Sequence, residues 1–378
     1  MREVLQELLR WWETGATAGL ATVVRTWQSA PRQPGAAMLV GPDETAVGSV
    51  SGGCVEADVY AVAQEAAADG IPVLRRYGVS DADAMAVGLP CGGVLDVFVQ
   101  PVSRRCFPEL AELAAAVGEG RPVALATVLE HPDPGRIGRH LLIRPEPADR
   151  SEGAGTLGSR RADAAVTDDG RGLLALGHSE VLTYGPDGER RGTGMQVFVS
   201  SFAPRPRMLV FGASDFAAAL ARLGGFLGYR VTVCDPRSLF ATPSRFPGVE
   251  EIVLERPERY LTSEAAAGRL DGRTALCVLT HDPKLDVPLL EVALRLPVGY
   301  VGAMGSRRSH QTRLDQLRDR GLTDAELDRL ASPVGLDLGA RTPEETAVSI
   351  VAEIIGSRWG GQGRPLRELA GRIHHPSG

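Results

Sequence analysis

The sequence predicts an α/β protein in two parts: an amino-terminal β-rich α+β domain, pseudo-duplicated within itself, and a carboxy-terminal domain on a parallel sheet. Three observations predict it. Short apolar runs and helical stretches alternate from Met208 onward, the pattern of βαβ units. The segment SSFAPRPR, residues 200–207, is rich in Ser and Pro and precedes the first of those runs, as a linker would. Two strand–turn–strand segments in the first half also resemble each other, roughly one hundred residues apart. The expected domains are residues 1–203, with the second copy at 103–203, and residues 204–378.

The elements follow in order. MREVLQELLRWWETG reads as an amphipathic helix with Leu5, Leu8 and Leu9 on one face. LATVVRTWQSAPRQPGAAMLV (Leu20–Val40) is a strand, a Pro/Gly turn and a second strand, and LATVLEHPDPGRIGRHLLI (Leu125–Ile143) repeats it. Val55–Ala68 has apolar residues at 55, 59, 62, 63 and 66, a helical spacing. AVGSVSGGCVEADV (Ala46–Val59) aligns with TLGSRRADAAVTDD (Thr156–Asp169), and DVFVQP (Asp96–Pro101) with QVFVSS (Gln196–Ser201). In the carboxy-terminal part, strands are expected at Met208–Gly212, Arg230–Cys234, Glu251–Leu254, Ala275–Leu279 and Gly299–Ala303. Helices are expected at Phe216–Leu227, Leu285–Leu294, Gln311–Arg318 and Pro343–Ile355. Strand and helix at this pitch describe a Rossmann-like parallel sheet.

Composition excludes several classes. The chain has 378 residues, 43% hydrophobic and 23% charged, with a net charge of −6. No basic block marks a nucleic-acid footprint. No apolar run reaches the ~18 residues of a membrane span. The amino terminus lacks the apolar core and small-residue cleavage site of a secretion signal, so a cytoplasmic location is expected. Five cysteines, an odd number widely spaced, do not make a disulfide framework.

Six segments carry candidate chemistry. Gly48-Ser-Val-Ser-Gly52-Gly53-Cys54-Val-Glu56 follows a strand and runs into a helix, so the glycines and Cys54 form a tight turn with exposed N–H groups at a helix amino terminus. A thiol there is favoured as thiolate, the form that ligates soft metals or attacks electrophiles; the plainer reading is a buried cysteine in a glycine turn. Gly88-Leu-Pro-Cys91-Gly-Gly93 is a second Gly-flanked cysteine. Arg32 sits between Pro31 and Pro34 on the first turn, either as an oxyanion clamp or as a solvated turn residue. Gly212-Ala-Ser214-Asp-Phe-Ala217 stands where a dinucleotide fold carries G-x-G-x-x-G, with Asp235 at the ribose-acid position and Arg237 nearby. Thr280-His281-Asp-Pro-Lys284, holding the only lysine, ends another strand. Gly302-Ala-Met-Gly305-Ser306-Arg307-Arg308 is a strand-to-helix turn suited to an anion. Cys234 and Cys277 lie inside apolar strands and read as core.

Taken together, ATVVRTWQSAPRQPGAAMLV, GSVSGGCVEADV, GLPCGG, VTVCDPR, YVGAMGSRRS and PVGLDLGARTPEETAVSIVAEI resemble the xanthine dehydrogenase accessory factors, the XdhC/CoxI-type family. They span about residues 15–357. The resemblance implies a protein that binds the molybdenum cofactor, as molybdopterin or its dinucleotide form. Such a protein protects the cofactor while its terminal sulfur ligand is installed. It then helps insert it into an apo-molybdenum hydroxylase of the xanthine dehydrogenase or CO dehydrogenase type. A cysteine desulfurase and a second copy of the chain are the other implied partners, with neither nucleic acid nor membrane. The resemblance also implies that Cys54 contacts the cofactor and its molybdenum, with Cys91 as a further contact. Gly52, Gly53, Arg32, Gly212, Asp235, His281, Gly305, Ser306 and Arg307 complete the expected cofactor-binding set, with a nucleotide in the Rossmann-like domain. Two departures stand out: Ser214 replaces the second glycine, and Phe216 stands where small residues are commoner. The competing reading is an NAD(P)-dependent oxidoreductase using His281 or Lys284 as proton donor.

Overall fold

The computed structural model describes residues 1–27, 32–78, 93–145 and 155–369. Two compact units divide after Pro204. In the first, α1 (Leu5–Glu13) buries Leu5, Leu8 and Trp11, with Leu9 only partly covered. The elements β1 (Ala18–Trp27), β2 (Ala37–Val40), β3 (Ala46–Gly48), α2 (Glu56–Asp69), β4 (Val73–Tyr77) and β5 (Val94–Val102) follow. Their strands form an antiparallel sheet in the order β3-β2-β1-β5-β4. Then come α3 (Leu110–Gly118), β6 (Val123–Glu130), β7 (His140–Ile143), α4 (Arg160–Leu176), β8 (Glu180–Tyr184) and β9 (Met195–Phe202). This second sheet is also antiparallel, in the order β7-β6-β9-β8.

Side-chain alternation decides how the layers stack. Ala21, Val23, Val97 and Val99 pack under α2, and Ala124, Ala126, Val128 and Val197 under α4. The opposite faces of the two sheets meet through Val24, Phe98, Leu129 and Phe198, each burial contributing about 1.5–3 kcal/mol. The helices α1 and α3 join this interior through Leu20, Leu39, Leu125 and Leu142. His140 is buried here too, its ring stacked on Phe107 with centroids 3.9 Å apart and its Nε2 donating to Gln100 Oε1 at 3.2 Å.

The two halves of this unit follow one plan. Register shifts fall after Val23 in β1 and after Val128 in β6. Gly35 N donates to Val23 O at 2.8 Å, and Gly138 N to Val128 O at 2.9 Å. Gly48 and Gly155 both have positive φ, and a Cβ on either would lie 2.3 Å from a carbonyl oxygen, that of Ala37 or of His140. The alignment expected from sequence matched Ala46–Val59 to Thr156–Asp169 by pairing Gly-Ser with Gly-Ser. The structure instead sets Ser49 against Thr156, Glu56 against Asp163 and Val59 against Val166, three residues away from that alignment. The hydrogen-bonding carboxylate, not the Gly-Ser letters, marks the equivalent place.

The second unit holds β10 (Arg207–Phe211), α5 (Asp215–Phe226), β11 (Arg230–Cys234), β12 (Glu251–Val253), α6 (Pro257–Ala266), β13 (Ala275–Val278), α7 (Pro283–Ala293), β14 (Tyr300–Ala303), α8 (Arg307–Asp319), α9 (Asp324–Leu327), β15 (Leu330–Ala331) and α10 (Pro343–Trp359). Its six strands are all parallel, in the order β12-β11-β10-β13-β14-β15. This is the Rossmann arrangement, with the order reversing between β10 and β13. Apolar clusters cover both faces. Cys234 and Cys277 lie in those clusters, and burial pushes both thiols up to about 12. Sequence reading missed α6, α9 and β15, and started α8 late, because Ser306 caps the helix ahead of its apolar positions. Among the described residues, no helix is long and apolar enough to cross a membrane.

Candidate functional site

The loop from Ser49 to Val55 wraps around one carboxylate. Glu56, the first residue of α2, accepts from Ser49 Oγ at 2.7 Å, Ser51 N at 2.8 Å, Gly52 N at 2.9 Å and Gly53 N at 2.8 Å. Ser51 Oγ also donates to it, and Val50 N and Val55 N approach at 3.2 Å. Burial raises the carboxyl, but the hydroxyls of Ser51 and Ser49 and the loop amides outweigh it and bring it to about 2. The loop is therefore an anion nest whose anion is part of the chain. The N–H groups of Gly52 and Gly53, expected to face a cofactor phosphate, are here given to Glu56. Glycine is needed there for conformation, with φ of +83° and +123°, and a Cβ at either position would meet nothing within 4 Å.

Cys54 sits on this clasped loop with an exposed, free thiol, while its N–H donates to Ser51 Oγ at 3.0 Å. Tyr77 OH donates to Asp58 Oδ2 at 2.7 Å, tying the start of α2 to the end of β4. Tyr77 pairs with Leu95 and Val94 with Trp27, so the Cys54 loop shares one end of its sheet with the ends of β1 and β4 and the start of β5. Beside them Arg76 grips Asp96 at 2.7 and 3.0 Å and lies 4.8 Å from the Trp27 ring centroid. Cys91 falls outside the described residues. Arg32, expected as an oxyanion clamp, is held by Glu3 at 2.8 Å, with its Nε buried and unpartnered among the described residues. No group of three or more His, Cys, Asp or Glu side chains among the described residues could hold a metal ion. Among the described cysteines Cys54 is the exposed one, with Cys106 half-buried and Cys234 and Cys277 buried, and a thiol is a soft donor.

In the second unit, Gly212 has φ +111°, and a Cβ there would lie 3.0 Å from Leu279 C and Thr280 N, so only glycine lets β10 end this close to β13. Ser214 caps α5, its hydroxyl accepting from Ala217 N at 3.3 Å. Asp235 is fully buried and accepts from Ala213 N at 2.9 Å and from Arg237 N, Nε and Nη2 at 2.8, 2.9 and 2.7 Å. Burial raises this carboxyl, but Arg237 and Ala213 hold it below its usual range. Asp235, expected at the ribose position, here gives its acceptors to Arg237 and to Ala213 N.

The carboxyl ends of β13 and β14 instead border a cavity of about 270 Å³, lined by His281, Asp286, Met304, Gly305, Arg308 and Arg313, among others. His281 and Gly305 were expected site residues. Ser306 stands beside the cavity as the cap of α8, accepting from Ser309 N at 3.1 Å. Arg307, an expected site residue, is not among the lining residues, whereas the next residue of α8, Arg308, is. Arg313 is buried against Asp286 at 3.2 Å, Met304 O at 3.0 Å and Ser332 Oγ at 3.0 Å. Burial pushes the Asp286 carboxyl up to about 6 against the pull of Arg313. Sequence reading quoted Glu56 without giving it a role and missed Asp286 and Arg313. Glu56 was visible in SGGCVE as an acid opening a helix, but nothing local singles out the other two.

Comparison with known proteins agrees with this anatomy. The family model described as the XdhC and CoxI family matches residues 11–78 and 116–185, corresponding stretches of the two halves of the first unit. The one described as the XdhC Rossmann domain matches residues 208–354. The chain is 28% identical over 345 residues to a Bacillus subtilis (strain 168) protein named as a probable xanthine dehydrogenase subunit, covering 90% of this chain and 93% of that protein. It is also 28% identical over 345 residues to "Molybdenum cofactor insertion chaperone PaoD" of Escherichia coli (strain K12), covering 91% of this chain and 85% of that protein. A crystal structure described as a xanthine dehydrogenase from Bacillus halodurans shares the fold, with a TM-score of 0.64 at 24% identity over 94% of this chain and 95% of that one. With both units matched and the relatives aligned almost end to end, the chain belongs to the XdhC and CoxI family.

Proposed function

We propose that this protein carries the molybdenum cofactor as cargo. It shields the cofactor while a cysteine desulfurase supplies the terminal sulfur ligand, and delivers it to an apo-molybdenum hydroxylase of the xanthine dehydrogenase or CO dehydrogenase type, acting as a homodimer. One observation carries the reading: an exposed cysteine thiol, Cys54, on a loop locked by Glu56, within residues 11–78 matched to the family. The relative named as a molybdenum cofactor insertion chaperone supports it.

The chemistry suits a carrier. Molybdenum held by dithiolene sulfur is a soft centre, and a thiolate is the soft side-chain donor. A carrier must also let go, and one thiolate at an open surface exchanges more readily than a closed set of protein ligands. Glu56 keeps the thiol in place without occupying it. The oxidoreductase alternative is opposed by the filled acceptors of Asp235 and the capping role of Ser214.

The test is anaerobic co-elution of the purified chain with free molybdenum cofactor, beside Cys54→Ser. Stoichiometric binding by the native chain and its loss in the variant are expected. No binding by the native chain would sink the carrier reading, and full binding by Cys54→Ser would remove Cys54 as the contact.

A further inference from the structure

Parallel sheets bind ligands at the carboxyl ends of their strands, around the point where strand order reverses. In the second unit that point lies between β10 and β13, and its two sides differ. On the β10 and β11 side, the places that take a dinucleotide's pyrophosphate and ribose are filled from within. Ser214 caps α5, and Asp235 is closed by Arg237 and Ala213 N. On the β13 and β14 side the cavity of about 270 Å³ is open, just under the ~300–1,000 Å³ usual for small-molecule pockets.

The charges of that cavity point one way. Asp286 and Arg313, both buried in its wall, compensate each other at 3.2 Å. Buried ion pairs are costly to desolvate and are weak evidence of stability; at a cavity wall such a pair marks a candidate functional site. Arg308 and His281 also line the cavity, and neither side chain has a hydrogen-bond or ion-pair partner among the described residues. Among the lining side chains the charge left uncompensated is therefore that of the Arg308 guanidinium. The Thr312 hydroxyl is given to Arg308 O at 3.2 Å and the Ser309 hydroxyl is shared with Ser306 Oγ at 2.9 Å, while Asp282, next to His281, acts on Asp286 from outside the lining. Pro283, Val287 and Met304 give one side an apolar surface, which free phosphate would not use.

We infer that the carboxy-terminal unit binds a small organic phosphate monoester, no larger than a sugar phosphate, in the cavity between α7 and α8, with its oxyanion on Arg308 and His281. The site uses one half of the dinucleotide position and does not extend into the other. It does not depend on Cys54, so it stands or falls apart from the carrier reading.

The test is isothermal titration of the full chain with inorganic phosphate, ribose 5-phosphate and NADP⁺, repeated on Arg308→Gln and Cys54→Ser. Arg308 is exposed, so its variant is expected to fold, checked by an unchanged melting temperature. Ribose 5-phosphate should bind saturably and more tightly than inorganic phosphate, and at least ~10-fold more weakly to Arg308→Gln. Cys54→Ser should bind it as the native chain does, and NADP⁺ should bind no tighter than ribose 5-phosphate. No saturable binding, or binding unchanged in Arg308→Gln, would overturn the site. Inorganic phosphate equal to the ester would overturn the assignment to an ester. Much tighter NADP⁺ would restore a full dinucleotide site.

Discussion

Glu56 and Asp163 hold equivalent places in the two halves of the amino-terminal unit. Each carboxylate accepts from a hydroxyl seven residues before it, Ser49 Oγ or Thr156 Oγ1, and from the next backbone amide, Val50 N or Leu157 N. Beyond that point they diverge. In the second half Ser159 caps a helix that runs on from Arg160. In the first half the matching residues, Gly52 to Val55, leave the helix, and α2 begins only at Glu56. Arg161 fills the position of Cys54 and pairs with Glu189. One half keeps a regular helix start, while the other unwinds it to present a thiol.

That divergence makes Glu56 more consequential than Asp163. Glu56→Gln keeps one acceptor oxygen for a loop that now uses two, leaving amides unpaired, at a cost of about 2–3 kcal/mol. Asp163→Asn, with fewer donors to lose, should cost about half as much. Urea denaturation gives both values. Alkylation of Cys54 by iodoacetamide should change rate in Glu56→Gln and stay unchanged in Asp163→Asn. Equal behaviour of the two variants would contradict the clasp.

His140 sets an acid-sensitive step. Burial lowers its folded value to about 3 from 6.5, only partly offset by its hydrogen bond to the Cys106 backbone. The unfolded chain takes up this proton first, so stability falls as pH drops below 6.5, by up to ~1.4 kcal/mol per pH unit, until about pH 3. Glu56, lowered from 4.5 to about 2, adds to the loss between those values. Asp286, raised from 3.8 to about 6, acts in the opposite direction in the other unit. Trp11, Trp12 and Trp27 report on the first unit, so fluorescence-monitored unfolding at stepped pH reads it preferentially. His140→Gln should be less stable at neutral pH but flatter from pH 6.5 to 4; an unchanged slope would exclude His140 as the cause.

Two glycines with similar φ should respond differently to alanine. Gly48 (φ +87°) has Ala37 O 2.3 Å from its would-be Cβ, whereas Gly52 (φ +83°) has open space. Gly52→Ala should cost about 1–2 kcal/mol, the left-handed backbone penalty alone. Gly48→Ala adds a clash with backbone and should cost more, on the order of 3 kcal/mol or greater. Melting temperatures of the two variants rank them directly.

Ser214→Gly restores the fingerprint glycine and removes a helix cap, at a cost of only a few tenths of a kcal/mol. It should still fail to bind NAD(P), because Asp235 keeps Arg237 and Ala213 N. Tight NADP⁺ binding gained by this single change, measured by titration calorimetry, would show that Ser214 alone had closed the site.

The parallel sheet was legible because its evidence is local: β-branched runs such as RVTVC and helical spacing such as Phe216–Leu227 declare themselves within a few residues. Cys54 was legible for the same reason, since Gly-Gly-Cys before a helix is a contiguous motif. The repeat was legible in its strands, where DVFVQP and QVFVSS align in register, and was misplaced by three residues at the helix, where the shared feature is a bond and not a letter. What tertiary structure alone decided is which partner each polar group takes. Gly52 and Gly53 give their amides to Glu56, Asp235 gives its oxygens to Arg237, and Arg308 rather than Arg307 faces the cavity. A buried donor or acceptor must be satisfied by whatever the fold brings within about 3 Å of it, and that distance is a property of the packed chain, not of the order of its residues.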